Sequence, residues 1–191
     1  MPATLNAFGF EAIWHPSGQM RPQVFTDGIA ASYSSNIYQN QMVSFATDGT
    51  IRPITTTSSD MVGTFQGVFY TPPNNGRPVV ANNFVANTAF TAGTLQASIY
   101  TDPLIVYRVQ CDGSLAATAI GDQAYITNTT SNNSLGISQS TIGSSLAGAG
   151  TQGQVRIIAL DPGVDNAWGD AFTTVQVQIA RHQYVAVKTA I

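Results

Sequence analysis

The sequence has 191 residues, of which 43 % are hydrophobic and only 9 % are charged, and its net charge is −3. A chain of this length and apolar content can bury a core without covalent cross-links. We therefore expect the chain to fold and not to be disordered throughout. The charged fraction is far below the roughly 25 % of a typical soluble domain, so the polar surface must be built from Thr, Ser, Asn and Gln.

The sparse charges also argue against several classes of partner. The seven basic residues are scattered along the chain, so they form no stripe that could neutralise phosphates, and we expect no nucleic-acid binding. No run approaches 18 consecutive apolar residues, and no basic start precedes an apolar run, so we expect neither a membrane span nor a secretory signal. Cys111 is the only cysteine, which rules out an intrachain disulfide and a cysteine-based zinc site. An uncharged polar surface favours burial in an assembly, although a secreted β-protein can share this composition.

Residues 1–40 are predicted to form an extended N-terminal arm. They combine prolines and glycines with the aromatic residues Phe8, Phe10, Trp14 and Phe25, and no helical or strand periodicity persists. Such a segment needs a surface to lie against, either on its own domain or on a neighbouring subunit. We favour the neighbour, because large aromatic side chains are common interface anchors.

Strand patterns begin at about residue 41. Asp48-Gly49 predicts a hairpin turn, and the β-branched and aromatic run Val62–Tyr70 predicts a strand. The glycines within that run indicate a bulge or a close approach of two backbones. Further strands are predicted over 104–110, 123–127, 155–160, 173–179 and 184–187. In the run 173–179, strict alternation places Val175, Val177 and Ile179 on one face.

Together these patterns predict an all-β fold, a small β-sandwich or barrel with an extended N-terminal arm and long loops. No long amphipathic helix is evident, and turn signals separate many short strands. Residues 41–191 form either one β-rich domain or two small lobes. The Asn-, Ser-, Thr- and Gly-rich stretch 128–153 is predicted to be a long loop excursion.

The sequence carries no recognisable catalytic or cofactor-binding motif. A nucleophile elbow, a P-loop and a dinucleotide-binding glycine motif are all missing, and His15 and His182 have no partner that sequence can assign. Asp161, Asp165 and Asp170 do not match a calcium loop, so we expect them to cap turns. We therefore predict no enzyme activity, no cofactor and no metal.

Trp168 is the remaining residue that could mark a site. It is predicted to be either a core plug or an interface anchor, with sugar stacking as a third role.

Three stretches resemble small virion proteins of tailed phages, which are usually encoded near the major capsid protein. They are 164–179 (VDNAWGDAFTTVQVQI), 60–70 (DMVGTFQGVFY) and 102–113 (DPLIVYRVQCDG). The resemblance covers roughly residues 42–187 and carries no catalytic residue. It implies a capsid decoration (cement) protein on the outer surface of the virion shell. Its partners would be the major capsid protein and its own copies, with a homotrimer favoured over a dimer.

Two other functions compete with this expectation. The first is a tail, fibre or head-spike adhesin that binds a host surface glycan, with Trp168 and Tyr184 as exposed sugar platforms. The second is a polysaccharide hydrolase, which would need a pair of carboxylates about 5–10 Å apart, and Glu11 and the loop aspartates offer no convincing pair.

Overall fold

The computed structural model describes residues 5–54, 60–127, 131–132 and 134–185, and within these ranges the chain is all-β, as predicted. The only helical element in this part is a single 3₁₀ turn, Ala117–Ala119. The strands are β1 (Glu11–Trp14), β2 (Gln23–Thr26), β3 (Met42–Phe45), β4 (Ile51–Pro53), β5 (Gly63–Tyr70), β6 (Val79–Ala81), β7 (Gln96–Tyr100), β8 (Val106–Gln110), β9 (Gln123–Ala124), β10 (Ser131–Asn132), β11 (Ile137–Ser138), β12 (Val155–Leu160) and β13 (Thr174–Ile179).

These strands form two antiparallel sheets that pack as a sandwich-like fold. Sheet 1 has the order β1-β8-β13-β12-β9. Sheet 2 has the order β2-β7-β5-β3-β4, and β6 also pairs with β5. The short strands β10 and β11 form a separate two-stranded sheet, and an isolated bridge joins Ile137 of β11 to Gln39.

Sheet 1 buries one face and leaves the other partly exposed. In β13, Val175, Val177 and Ile179 are buried while the intervening residues are half-buried, so the predicted alternation is confirmed. Val175 lies opposite Val109 and Val177 lies opposite Tyr107 of β8, which extends the apolar face across the sheet. Cross-strand pairs of this kind are the unit of sheet stabilisation.

Sheet 2 is apolar on both faces at one end. In β3, Met42 packs into the core shared with sheet 1, whereas the next residue, Val43, packs into a second core on the opposite face. Neighbouring residues of a strand point to opposite faces, so both cores meet at this strand. The second core is completed by buried residues from the segments between the strands: Ile29, Ile37, Phe84 and Leu95.

The predicted hairpin at Asp48-Gly49 is confirmed. The Ala46 N–H donates to the Thr50 carbonyl at 2.8 Å, and Gly49 has a φ of 79°, which a residue with a Cβ adopts only under strain. The Asp48 carboxylate accepts the hydroxyl and the backbone N–H of Thr50, and these hydrogen bonds lower the pKa of Asp48. The turn therefore sets the register of β3 against β4.

The glycines of β5 have both predicted roles. The pairing of β5 with β7 shifts register between Phe65 and Gly67, which is the expected bulge. At Gly63, a Cβ would lie 1.6 Å from the Tyr100 carbonyl oxygen, so two backbones approach as closely as a glycine allows. The bulge bends β5, whose first half pairs with β3 and whose second half pairs with β6.

The described part of the predicted arm, residues 5–40, lies along its own chain. β1 forms the edge of sheet 1 beside β8, and β2 forms the edge of sheet 2 beside β7. This segment therefore contributes a strand to each sheet. A contact of the same segment with a neighbouring subunit stays a prediction.

In the described part of the stretch 128–153, the strands are limited to the short β10 and β11, but several residues belong to the core. Ser138, Ser140, Thr141 and Ile142 are buried, and Ile142 forms isolated bridges with Cys111 and Ile126. The hydroxyls of Ser138 and Ser140 lie 2.9 Å apart and form a hydrogen bond with each other. Buried polar side chains generally have such hydrogen-bond partners. Residues 128–130 and 133 lie outside the described residues.

The prediction of a last strand over 184–187 is wrong for its first two residues. Tyr184 and Val185 lie in a turn, where the Val185 N–H donates to the His182 carbonyl at 3.0 Å. Residues 186–187 lie outside the described residues.

Candidate binding face

Sheet 1 covers only one end of the inner face of sheet 2. At the covered end, Thr64 of β5 lies opposite Tyr100 of β7, and Tyr100 packs against the shared core. Because side chains two residues apart share a face, Ser98 and Gln96 continue the face of Tyr100 along β7. Gln96 is exposed and Ser98 is half-buried, so this end of the face is uncovered.

We call the uncovered end the open face and define it by six residues: Val24, Gly67, Phe69, Val80, Gln96 and Ser98. The strand register places them side by side. Phe69 lies opposite Val80 on one side and Gln96 on the other, while Ser98 lies opposite both Gly67 and Val24.

The open face is apolar at its outer positions and carries no charge. Val80 is 80 % exposed, Val24 is 56 % exposed and Phe69 is 36 % exposed. None of its six residues has an ionisable side chain, so a partner surface could cover them without burying an unpaired charge. Apolar side chains grouped on one exposed sheet face mark interaction surfaces, whereas single exposed ones need no explanation.

The margins of the open face are open strand edges. Among the described strands, β2 pairs only with β7, and β6 pairs only with β5. A shallow groove of about 390 Å³ runs across the face, and Pro22, Val68 and Asn82 contribute to its lining. Open edges that flank an apolar face allow a partner to add backbone hydrogen bonds to side-chain contacts.

The structure separates the five predicted interface residues. Phe10 is fully buried in the shared core, so the prediction that it is an exposed anchor is not supported in this fold. Phe25 packs on the second core with its ring 5.2 Å from that of Phe45. Trp168 is partly buried against the shared core, which matches the core-plug alternative.

Two of the five stay at the surface. Phe8 is half-buried, and the Arg108 guanidinium lies 5.3 Å from the centre of its ring. Trp14, the last residue of β1, is 55 % exposed. None of the five predicted residues belongs to the open face.

Sequence reasoning missed Val24, Phe69 and Val80. In β5, apolar residues follow one another without strict alternation, so the pattern does not tell which of them faces solvent. The exposed position of Phe69 depends on the bulge and on where sheet 1 ends, and both are tertiary features. The only local signal is the glycine pair of β5, which indicates the bulge but not the face it uncovers.

On the outer face of sheet 1, Arg108 lies close to two acidic side chains, Glu11 and Asp161. Arg108 donates to Glu11 at 2.5 Å, and its second terminal nitrogen lies 3.7 Å from Asp161, whose carboxylate also accepts from Gln176 at 3.3 Å. The hydrogen bond to Glu11 is the main reason why the pKa of Arg108 is raised. Because the Arg108 and Glu11 side chains are about 40 % exposed, solvent screening leaves roughly 0–1 kcal/mol of stabilisation.

His15 takes part in a local cluster that is only superficially like a catalytic triad. Its Nδ1 lies 2.7 Å from the Ser17 hydroxyl and its Nε2 lies 3.2 Å from the Asp102 carboxylate. However, the same Nδ1 also accepts the Ser17 backbone N–H at 3.1 Å. A lone pair that already accepts an N–H is a poor base for the hydroxyl, and the contact is an ordinary turn interaction between residues two apart.

Groups that could bind a metal or react as a nucleophile are sparse. The described residues contain no group of three or more His, Cys, Asp or Glu side chains placed to hold a metal ion. The Cys111 thiol is buried, and burial raises its pKa to about 11, which disfavours the reactive thiolate. Asp170 accepts the Ala167 N–H at 2.8 Å and thus closes a turn.

Comparisons with known proteins give no relative for this chain. No family model, no curated protein and no solved structure matches it. Over the described residues, no helix is long and apolar enough to cross a membrane.

Proposed function

We propose that this chain is a structural, non-enzymatic protein of a tailed-phage virion, and that it decorates and stabilises the outer surface of the capsid shell. Its open face docks on the major capsid protein, and its copies associate with one another, as a trimer in preference to a dimer. The observation that carries the proposal is the uncharged, partly apolar end of sheet 2 that sheet 1 leaves uncovered.

The remaining support comes from composition and from the way the existing charges are used. With 9 % charged residues, a large polar area can be covered by a partner at low desolvation cost. Arg108, Arg52 and Arg181 are already paired with acids of the same chain, so they contribute little field for steering a charged partner. Repeated copies on a symmetric shell add weak contacts through effective concentration.

Binding of the purified chain to capsids that lack it tests the docking role. Val80→Lys places a charge at the most exposed apolar position of the open face, and we expect at least a tenfold loss of shell occupancy in co-sedimentation. The matched control is Val164→Lys, because Val164 is a fully exposed valine in the turn after β12. Full occupancy by the Val80 variant would show that the open face is not the docking surface.

The contribution of the N-terminal segment needs a point variant. Deleting residues 1–30 would remove β1 and β2 from the two sheets, so loss of binding would report loss of the fold. Trp14→Ala changes an exposed side chain at the end of β1 and leaves the backbone pairing in place. If this segment contacts a neighbour, the variant weakens shell binding or the trimer, as measured by sedimentation velocity.

The adhesin alternative has one observation in its favour, the exposed ring of Tyr184. This ring is 58 % exposed and lies 6.2 Å from that of Phe45, which gives it a stacked support. Trp168, in contrast, packs against the core and offers less surface to a sugar. Glycan-array binding that Tyr184→Ala abolishes, together with no binding to capsids, would replace the decoration proposal with the adhesin.

A further inference from the structure

A small pocket lies where the end of β13 approaches the loop between β7 and β8. Its volume is about 170 Å³. Leu104, Ile179 and Val185 supply apolar lining, and Arg156 and His182 supply polar groups. Pockets for drug-sized ligands measure roughly 300–1,000 Å³, so a ligand of this one must be small.

Arg156 differs from the other partly buried arginines of the described chain. Arg108 is paired with Glu11, and Arg181 is paired with Asp60 at 2.8 Å. Arg156 is half-buried, and none of the described residues forms an ion pair with it. Its buried Nε has no hydrogen-bond partner among the described residues, which is also true of Arg108, so the missing acid is what sets Arg156 apart. A partly desolvated guanidinium without an acid is a site that favours a carboxylate or another anion.

His182 contributes polarity without a second charge. Its Nδ1 accepts the Tyr184 N–H at 3.1 Å, which places the ring proton on Nε2. Burial lowers the pKa of His182, and this effect outweighs the nearby carbonyl groups of Val62 and Thr101 and the charge of Asp102. Among the described residues, the pocket lining at neutral pH therefore holds one positive charge and no acidic side chain.

We propose that this pocket binds a small organic monocarboxylate, with the carboxylate paired to Arg156 and a short alkyl chain against Leu104 and Val185. One cation matches one negative charge, whereas a phosphate monoester with nearly two charges would leave part of its charge uncompensated. The apolar lining favours an alkyl carboxylate over a polyhydroxylated acid. This site is independent of the open face and goes beyond the proposed docking role.

The probe for the test is butyrate, titrated into the ¹⁵N-labelled full-length chain and followed by amide chemical shifts. We expect a saturable change confined to amides around the pocket, such as those of Leu104 and Val185. Butyl phosphate and butanol, added separately, should each bind at least fivefold more weakly, since one carries excess charge and the other carries none.

Arg156→Gln should weaken butyrate binding at least tenfold, and Arg156→Lys should give an intermediate affinity because it keeps the charge but not the planar fork. The matched control is Arg77→Gln, which alters an exposed arginine away from the pocket. Each variant is first compared with the parent chain by its amide spectrum, so misfolding is recognised. Non-saturable shifts spread over the surface, or unchanged affinity in Arg156→Gln, would overturn the proposal.

Discussion

His182 is buried at the junction of the two sheets, and its environment decides its charge. It forms an isolated bridge with Met61, the residue two before β5, and its ring lies 5.4 Å from that of Tyr184. Burial lowers the pKa of the imidazole below its usual 6.5, although the Asp102 charge partly opposes this shift. The folded state therefore favours the neutral ring.

This shift predicts that acid destabilises the fold. The unfolded chain takes up a proton on His182 near pH 6.5, whereas the folded chain holds it neutral to lower pH. Stability from this group is thus complete above pH 6.5 and falls as the pH drops toward the folded-state pKa. Urea unfolding at pH 7.5 and pH 5.0 measures the effect, and the His182→Gln variant should show a smaller decrease between these two values. An equal decrease in variant and parent would assign the pH dependence to other groups.

At the residue scale, sequence predicts which side chains avoid water but not what covers them. Phe10 and Trp14 belong to the same aromatic segment, yet Phe10 is fully buried and Trp14 is 55 % exposed. In a regular strand this even spacing would place both side chains on one face, but the pairing of β1 with β8 shifts register between Ala12 and Trp14 and breaks the alternation. That register depends on residues almost 100 positions away, which no local pattern contains.

β5 is the element that connects most of sheet 2. It pairs with β3, β6 and β7, and it has two glycines where other strands carry side chains. Gly63 has a φ of 152° and almost touches the Tyr100 backbone, so this position admits no Cβ without moving β5 away from β7. Thr64 and Tyr100, which face the shared core, would move with it.

We therefore expect Gly63→Ala to destabilise the chain by about 3 kcal/mol or more, since inserted atoms in a packed position force backbone shifts. Chemical denaturation measures the loss. Gly163→Ala serves as the control, because Gly163 lies in a turn where the nearest atom to an added Cβ is 3.5 Å away. If the two variants were equally stable, the close approach at Gly63 would not limit the fold.

Elements with one buried face were predictable, and elements with two were not. In β13, apolar and polar residues alternate because only one face of the strand contacts the core. The sequence pattern therefore predicts both the strand and its buried face. In β3, Met42 and Val43 enter different cores, and the sequence shows only two adjacent apolar residues. Hence all-β character and many strand positions follow from sequence, whereas the two-core arrangement and the open face do not.

At the scale of the whole molecule, residues 181–183 join the two sheets beyond the end of β13. The Arg181 Nε donates to Asp60 at 2.8 Å, and the Met61 N–H donates to the Arg181 carbonyl at 2.9 Å. The Gln183 side chain accepts the Phe45 N–H at 2.8 Å and donates to the Phe45 carbonyl at 3.1 Å. The Gln183 side-chain amide thus makes the two hydrogen bonds to Phe45 that the backbone of a neighbouring strand would otherwise make.

Removing this amide should loosen the joint between the sheets. Gln183→Ala leaves the Phe45 backbone groups to water, and we expect a loss of about 1–2 kcal/mol in the free energy of unfolding. Hydrogen exchange should also quicken at Phe45 and Gln183 more than in β13. Gln19→Ala is the control, because the Gln19 side chain is exposed and makes no hydrogen bond to the described residues. Equal behaviour of the two variants would contradict a joining role for Gln183.

The placement of β1 and β2 has a consequence for synthesis on the ribosome. Glu11 pairs with Arg108 and Gln23 pairs with Ile99, so β1 and β2 leave the exit tunnel well before the strands with which they pair. During that interval, the aromatic N-terminal segment has no native neighbour in its sheets. Such high contact order slows folding to the millisecond-to-second range and exposes the nascent chain to chaperones or to premature association.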